Sequence, residues 1–337
     1  MFYMPVNSRR NLFLSNKPKT NLLSKFTMIY TVTLNPAVDR IMEIPDFSVG
    51  LTYIARKSQV HYAGKGINVS QTLSELGCSQ EILALIGENE IYSYSSGLKK
   101  FTKTFIPVVG NTRNHITIND SKNHTETHLQ DAGFTVTSDY VEQLTEILEN
   151  KIKRNDWIVL SGSLPPGVSD EIYAKFINLI SQKQGISALD TSGKALECSV
   201  SSKPDLVRIN LGTLGEIVER DFDHVDDIIN AACFLLEKGV KKIVITLGKD
   251  GAIGVSSNEV FHAEINSEFM SGSYTSGCGD AFMAGLVSEL SEKHPFARAL
   301  HFATACGMAN TFIPIAGHLT RRDIDKCMDF ISIRKFA

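Results

Sequence analysis

Short runs rich in Val and Ile alternate with helical patterns along most of this chain, and this alternation limits the fold more than any other feature. The runs are too short and too apolar for anything but buried strands, and the segments between them carry apolar residues at helical spacing. A mostly parallel sheet with helices on both faces buries such strands. The predicted strands are 29–33, 82–86, 157–160, 187–189, 206–209 and 243–246, and the predicted helices are 67–76, 141–152, 172–180, 228–236, 280–290, 296–312 and 322–331.

Two stretches break the alternation. Residues 40–62 and 113–130 have a β pattern with polar, turn-rich interruptions and no helix. They predict a small second sheet that lies as a lid over one edge of a single main domain, 28–337. Residues 1–27 contain five Lys or Arg and no acid, and we interpret them as a flexible extension, with an organelle transit peptide as the alternative.

Composition removes several classes of function. The 337 residues carry a net charge of −3 without a long basic block, which argues against nucleic acid and anionic membranes as partners. The apolar runs are too short to cross a bilayer. Six cysteines lie without C-x-x-C spacing, so no zinc or redox motif is present and a reducing cytoplasm is expected.

Small polar clusters follow the predicted strands at their carboxyl ends. "LNPAVD" follows the first strand, "SGSLPPG" the third and "DTSG" the fourth, while Asn210 and "LGKDG" follow the last two. Parallel α/β sheets bind ligands at the carboxyl ends of their strands. Any one cluster is explained by an ordinary turn, but five together predict one long binding crevice.

The segment "AGKGINVS" (63–70) resembles a phosphate loop and fails both familiar patterns. Lys65 precedes a glycine rather than Ser or Thr, which excludes a Walker A loop, and Val69 occupies the sixth position of the dinucleotide-binding pattern. Gly64 permits close approach of backbone to a ligand. Lys65 supplies charge, and Asn68 offers both donor and acceptor, although alone it is equally explained as a polar residue at a helix start.

The segment "SGCGDAF" (276–282) places glycines before the apolar face of a helix. The first turn of a helix has free N–H groups and partial positive charge, so Gly277, Cys278 and Gly279 are suited to hold an anion. Asp280 is either a helix-stabilising acid or, beside an anion, a general base that takes the proton of an acceptor hydroxyl.

Several motifs together resemble the ribokinase/PfkB family of sugar kinases, from residue 28 almost to the end. "AGKGINVSQTLSELG" is similar to the first family signature and "TSGCGDAFMAGL" to the second. "TLNPAVD", "GNTR", "TET", "SGSLPPGV", "LDTSG" and "TLGKDGA" follow the order of the family. The chain is most similar to the branch of 1-phosphofructokinases and tagatose-6-phosphate kinases, which implies a three-layer ribokinase-like fold with a β-sheet lid.

The resemblance implies transfer of the ATP γ-phosphate to a primary hydroxyl of a ketohexose monophosphate, with fructose 1-phosphate as first choice and tagatose 6-phosphate as alternative. Mg²⁺ would accompany ATP, with no metal ligand assigned, and the lid would also form a homodimer interface. By the same match Asp280 is the base and Gly277, Cys278 and Gly279 form the anion hole. Asp39, Gly64, Lys65 and Asn68 would hold the sugar phosphate, Arg113 its existing phosphate, and Asn210, Thr246, Leu247, Gly248, Lys249, Asp250, Gly251 and Gly279 the ATP.

One departure from the family keeps other functions open. The family has Asn-x-x-Glu after the strand that ends near 209, and here Thr213 stands at the Glu position, with Glu216 three residues later. A sugar-phosphate-binding protein with weak or lost kinase activity is therefore an alternative. A kinase for a neutral alcohol is a third, although Lys65 and Arg113 would then have little to do.

Overall fold

The main sheet is the centre of the molecule. The computed structural model describes residues 27–266, 272 and 274–336, and the predicted extension lies outside this range apart from Thr27. In the described part the sheet has ten strands in the order β14-β13-β12-β11-β10-β9-β8-β1-β4-β5, parallel from β11 to β5 and antiparallel from β11 to β14. The strands are β1 (Ile29–Thr33), β4 (Gln80–Gly87), β5 (Lys103–Val108), β8 (Trp157–Ser161), β9 (Ile186–Asp190), β10 (Leu206–Asn210), β11 (Lys242–Thr246), β12 (Ala252–Ser256), β13 (Val260–Ile265) and β14 (Ile331–Phe336).

A second sheet of four strands has the order β3-β2-β6-β7. Strands β2 and β6 pair parallel and the other two pairs are antiparallel. Residues directly opposite one another share a face of a sheet, so Asp39, His61 and His115 lie on one face and Val60 and Leu129 on the other. The strands are β2 (Ala37–Glu43), β3 (Lys57–Ala63), β6 (Arg113–Asp120) and β7 (Thr125–Gln130).

Helices cover both faces of the main sheet and make three layers. Alternate residues of β8 face opposite cores: Leu160 packs with Leu148 and Phe176, and Val159 packs in the core of Phe282 and Leu300. Both sets are apolar because a parallel strand is buried on both faces. The helices of the described part are α1 (Lys65–Glu75), α2 (Ile91–Gly97), α3 (Ser138–Lys151), α4 (Ile172–Gln182), α5 (Gly193–Val200), α6 (Leu211–Val218), α7 (Val225–Glu237), α8 (Cys278–Ser291), α9 (Phe296–Asn310) and α10 (Arg321–Met328).

The predicted fold class, a three-layer α/β fold with a mostly parallel sheet and a small additional sheet, is confirmed. The prediction of a last helix that reaches residue 331 is wrong at its end, because α10 stops at Met328 and the chain turns into the edge strand β14. Ile331 and Ile333 are less exposed than Ser332 and Arg334, which is the alternation of a strand. Among the helices that the structure describes, none is long and apolar enough to span a membrane.

Candidate active site

The polar clusters that follow the parallel strands meet in space, as the sequence predicts. Asn35 Nδ2 donates to Ser163 Oγ at 3.1 Å, which joins the loop after β1 to the loop after β8. The order of the strands then continues through β9 and β10 to β11. The carboxyl ends of five parallel strands therefore line one crevice, with the loop after β1 at one end and the loop after β11 at the other.

A chain of charged side chains crosses the middle of this crevice. Lys65, the first residue of α1, places Nζ 3.2 Å from Asp190 Oδ1 at the end of β9. Arg208 on β10 places Nη1 3.3 Å from Asp190 Oδ2, and its Nη2 donates to Thr246 Oγ1 at 2.8 Å. Two cations thus hold one buried carboxylate between the two ends of the crevice.

The ionisation of Asp190 follows from these contacts. Burial alone would raise the pKa of Asp190, but attraction to Lys65 and Arg208 holds that pKa below its usual range. Attraction to Asp190 in turn raises the pKa of Lys65, against the effect of burial. Asp190 is therefore ionised and Lys65 protonated at neutral pH, and Lys65, with 45% of its side chain exposed, is accessible to a phosphate that enters from solvent.

Asp280 lies in the first turn of α8 and is buried, with 6% of its surface exposed. Its Oδ2 accepts a 2.8 Å hydrogen bond from Asn68 Nδ2 on α1. Burial raises the pKa of Asp280 to about 6, although Lys65 and the bond from Asn68 act in the opposite direction. A carboxylate with such a pKa is ionised at neutral pH and still basic enough to accept a proton.

The glycines before Asp280 shape the start of α8. Gly277 is the N-cap at φ 79°, a left-handed conformation that favours glycine, and a Cβ there would lie 2.3 Å from Ala316 Cβ. A Cβ on Gly279 would lie 2.4 Å from Arg208 Nη1, so the guanidinium lies against this turn. Gly277 has no side chain to cap the helix, and the N–H of Cys278 makes only a long 3.5 Å bond to the carbonyl oxygen of Thr275, so the first turn can still accept an anion.

Cys278 is a neutral thiol in this turn. Burial raises the pKa of Cys278 to about 11. Its Sγ lies 3.4 Å from the carbonyl oxygen of Tyr274 and 3.7 Å from Asn310 Nδ2. The thiol therefore fills space beside the N–H groups and contributes no charge at neutral pH.

The glycines of "AGKGINVS" allow the start of α1 to pack closely against β1. A Cβ on Gly66 would lie 2.5 Å from Thr33 Oγ1, and one on Gly64 would lie 2.8 Å from Thr33 Cγ2. The start of α1 therefore lies directly on the end of β1. This close approach places Lys65 and Asn68 at the crevice, so these glycines act on the site through the position of the helix.

Asp39 and Arg113 lie where the second sheet meets the main sheet. Asp39 Oδ1 is 3.3 Å from His115 Nδ1 on the neighbouring strand β6. Arg113 Nε donates to the carbonyl oxygen of Pro36 at 3.2 Å and its Nη2 to that of Asn35 at 3.3 Å. Arg113 thus braces the loop after β1 and retains N–H groups for a ligand.

The second sheet also touches the loop before α8. Glu126 Oε2 on β7 accepts a 2.9 Å hydrogen bond from Thr275 Oγ1, across 149 positions of the chain. Glu126 shares its face of the sheet with Asp39, because β2, β6 and β7 pair in register. This face of the second sheet is therefore turned toward the crevice.

The residues assigned to ATP lie at the other end of the crevice. Asn210 caps α6 by accepting from Thr213 N at 2.8 Å, and Thr246 ends β11 beside Arg208. Leu247 to Gly251 form the turn between β11 and β12, in which Leu247 N donates to Gly251 O at 2.8 Å and Gly248, Lys249 and Asp250 make one 3₁₀ turn. Gly279 belongs instead to the first turn of α8. A Cβ on Gly251 would lie 1.8 Å from Ala263 O, so this turn requires glycine.

Thr213 is buried in the first turn of α6, whereas Glu216 is exposed. Glu216 lines a surface cavity with Gly212, Arg220 and Phe222, in which none of the charged crevice residues takes part. A wider cavity of about 820 Å³ lies at the base of the second sheet, and Lys65, Arg208 and Asp280 do not line it either. The charged residues of the crevice therefore lie apart from both of these cavities.

The side chains of the crevice offer few free ligands to a magnesium ion. Within 27–266, 272 and 274–336, no group of three or more His, Cys, Asp or Glu is placed to hold a metal. Both oxygens of Asp190 face cations, and Asp280 Oδ2 faces Asn68. Mg²⁺ is commonly held by one or two carboxylates together with substrate phosphates. These residues therefore suit a magnesium ion that arrives on ATP rather than a resident one.

The sequence analysis missed Arg208 and the role of Asp190. Asp190 was visible as the start of "DTSG" but was not assigned to the site. Arg208 lies inside the apolar run "LVRIN", where an arginine is most simply interpreted as a strand residue whose side chain points to solvent. A charged residue in a strand otherwise buried on both faces was the available signal, since buried charges require partners.

Comparison with known proteins identifies the family of the chain. Residues 32–313 match the pfkB family of carbohydrate kinases, and the chain belongs to that family. It is therefore a phosphotransferase with an alcohol group as acceptor. It is 31% identical to a 1-phosphofructokinase of Borreliella burgdorferi (84% of this chain, 91% of the relative) and 28% identical to that of Bacillus subtilis (85% and 93%). The structure of phosphofructokinase-2 from Escherichia coli in complex with substrates and products superposes with a TM-score of 0.84 at 25% identity, covering 90% of this chain and 99% of the other.

Proposed function

We propose that this protein transfers the γ-phosphate of ATP to a primary hydroxyl of a ketohexose monophosphate, with fructose 1-phosphate converted to fructose 1,6-bisphosphate. The observation that carries the proposal is the buried Asp280, held by Asn68 at the open N-terminus of α8 beside Arg208. The relatives named 1-phosphofructokinase match over more than four-fifths of the chain and support the choice of substrate.

In this proposal Asp280 accepts the proton of the sugar hydroxyl as the hydroxyl oxygen attacks the γ-phosphorus. The new O–P bond forms as the bond from the γ-phosphorus to the β,γ-bridging oxygen breaks, and the bond electrons leave with ADP. Phosphoryl transfer depends mainly on positioning and on neutralisation of charge. The N–H groups of Gly277, Cys278 and Gly279 face the transferred group, and Lys65 and Arg208 balance its charge.

The sugar phosphate lies at the β1 end of the crevice in this proposal. Asp39, Gly64 and Asn68 surround the sugar, and Arg113 contacts the phosphate that it already carries. Three of the five N–H groups of Arg113 are used by Asn35, Pro36 and Gln130, so two remain for phosphate oxygens.

ATP lies at the β11 end, against Asn210 and the turn from Thr246 to Gly251, with Gly279 beside its terminal phosphate. Magnesium enters as part of the ATP substrate, held chiefly by phosphate oxygens, because Thr213 supplies no carboxylate. The lack of a carboxylate at position 213, where Thr213 stands, is the observation that favours the second candidate, a sugar-phosphate-binding protein with little turnover.

The second sheet, residues 37–63 and 113–130, acts as a lid that excludes water while phosphate is transferred. Its outer face carries exposed apolar side chains, with Val60 at 43% and Leu129 at 52% exposure, and we assign this face to a homodimer interface. All six cysteines are free thiols, which suits a cytoplasmic enzyme.

A panel of ketohexose monophosphates, assayed with ATP by coupled ADP release, tests the function. The proposal expects the highest kcat/KM with fructose 1-phosphate. A higher value with tagatose 6-phosphate would reassign the substrate. Measurable sugar-phosphate binding with ADP release no faster than background would instead establish the binding protein.

A further inference from the structure

A small cavity lies beside Asn68, the residue that bonds Asp280. Asp39, His61, Asn68, Gln71 and His318 contribute to its lining. The volume open to the centre of a water molecule is about 10 Å³, which is close to the space that one water needs. Ala316 and His318 close it on one side, where the chain is tight enough that a Cβ on Gly317 would lie 2.6 Å from Asn68 O.

Three buried polar atoms on residues that line this cavity make no hydrogen bond to the described protein: His61 Nε2, Asn68 Oδ1 and Gln71 Oε1. Asn68 and Gln71 are each 6% exposed, and they lie three positions apart on α1, where side chains share a face. Buried polar groups without a partner are costly, and ordered water commonly satisfies them.

The orientation of Asn68 decides which atom faces the cavity. An ionised carboxylate only accepts hydrogen bonds, so the amide of Asn68 must turn its Nδ2 toward Asp280. Its Oδ1 is then left without a donor. Burial lowers the pKa of His61, and the nearby His318 adds to this, so the His61 ring is neutral and offers one N–H.

The numbers of donors and acceptors match a single water. A water molecule donates twice, to Asn68 Oδ1 and Gln71 Oε1, and accepts once, from Nε2–H of His61. We infer that this cavity is a built binding site for one water, and that Gln71 and His61 are positioning residues which, through this water, hold Asn68 with its amide toward Asp280. The water site itself does not depend on the proposed function. Only the predicted effect of Gln71 and His61 on turnover rests on it.

The water would favour the catalytically useful orientation of Asn68. If the amide of Asn68 turned over, its Oδ1 would face the carboxylate of Asp280 and repel the ionised form. With the water in place, that reversal also leaves one O–H of the water without an acceptor, because the water then accepts from Asn68 Nδ2 instead of donating to Oδ1. The lid residue His61 is thereby connected to Asp280 without direct contact.

A crystal structure of the full chain at a resolution that shows ordered solvent tests the site without reference to activity. We expect one water within about 3.2 Å of His61 Nε2, Asn68 Oδ1 and Gln71 Oε1. An empty cavity, or a Gln71 amide that bonds directly to Asn68, would overturn the inference and leave the proposed kinase function untouched.

The kinetic test compares Gln71→Met with Ser70→Ala. Gln71→Met removes the amide at nearly equal size, and we expect kcat to fall about fivefold, the usual worth of one hydrogen bond, with KM for ATP unchanged. Ser70 is equally buried on α1 and bonds Gln80, away from the cavity, so Ser70→Ala should leave kcat unchanged. An unchanged kcat in Gln71→Met, in an assay in which Asp280→Asn strongly lowers turnover, would overturn the positioning role alone.

Discussion

Asn68 Nδ2 lies 2.8 Å from Asp280 Oδ2, so a residue of the first helix holds a residue of the eighth across 212 positions of the chain. The two helices are the ones whose glycine-rich starts the sequence singles out. Their starts meet because α1 lies on the end of β1 and because α8 packs against α1 on the same side of the sheet. In the proposed mechanism, this contact joins the end of the crevice assigned to the sugar to the helix N-terminus assigned to the transferred phosphoryl group.

The first prediction concerns the pH dependence of turnover. Because a general base must be ionised, kcat/KM should fall as pH drops through the pKa of Asp280, near 6. The phosphate of the substrate also titrates near pH 6. Lys65→Met should separate the two, since Lys65 lowers the pKa of Asp280 and its loss should move the acid limb to higher pH. If the acid limb of kcat/KM lies at the same pH in both proteins, the titrating group is the phosphate of the substrate.

The same ionisation predicts a cost in stability. The folded-state pKa of Asp280 is above its usual value of 3.8, so the buried carboxyl is tolerated best when protonated, and stability is lost as pH rises through about 6. Asp280→Asn should therefore raise the free energy of unfolding at pH 8 by about 1 to 3 kcal/mol, and by less at pH 5. Denaturant unfolding at both pH values checks this, and an equal change at both would contradict it.

Arg208 should be essential through its charge. Arg208→Met removes the guanidinium that lies against Gly279 and also one partner of Asp190, and kcat should fall about 10²- to 10³-fold, as with other groups that stabilise developing charge. Arg208→Lys keeps the positive charge and should recover most of the loss. Turnover of Arg208→Met within twofold of the unaltered protein would remove Arg208 from the mechanism.

Replacing Arg113 should affect the KM of the sugar phosphate and the KM of ATP differently. Its fork lies at the β1 end of the crevice, so Arg113→Ala should raise KM for the sugar phosphate about tenfold or more and leave KM for ATP nearly unchanged. Steady-state kinetics with each substrate varied in turn gives both values. Equal effects on both would place Arg113 in the structure of the crevice rather than at the sugar phosphate.

Glu216 should not replace the missing carboxylate at Thr213. The two residues are three positions apart on α6, which separates them by about 5 Å along the helix, and Glu216 is exposed. Glu216→Ala should leave the magnesium concentration for half-maximal activity unchanged. A strong rise in that concentration would show that α6 presents Glu216 to the metal in the working enzyme.

The sequence predicted those parts of the molecule that depend on local pattern. The parallel strands other than β5, and most helices, follow from apolar runs and helical spacing, and the crevice follows from polar residues such as Asn210 at the strand ends. Local pattern does not show which distant segments of the chain come into contact, so interactions between them could not be predicted. Arg208 is explained only by Asp190 on the next strand, and Gln71 only by a cavity that His61 closes from the second sheet. The edge strand β14 was missed because its alternation is short and directly follows a true helix.

The turnover of Asp280→Asn, measured with fructose 1-phosphate as coupled ADP release together with its affinity for ATP, tests the central claim most directly. Loss of a general base should lower kcat about 10²- to 10⁴-fold while ATP binds as before, since the charge of Asp280 is removed and the shape of the crevice is kept. A variant that turns over at nearly the rate of the unaltered protein would contradict the account.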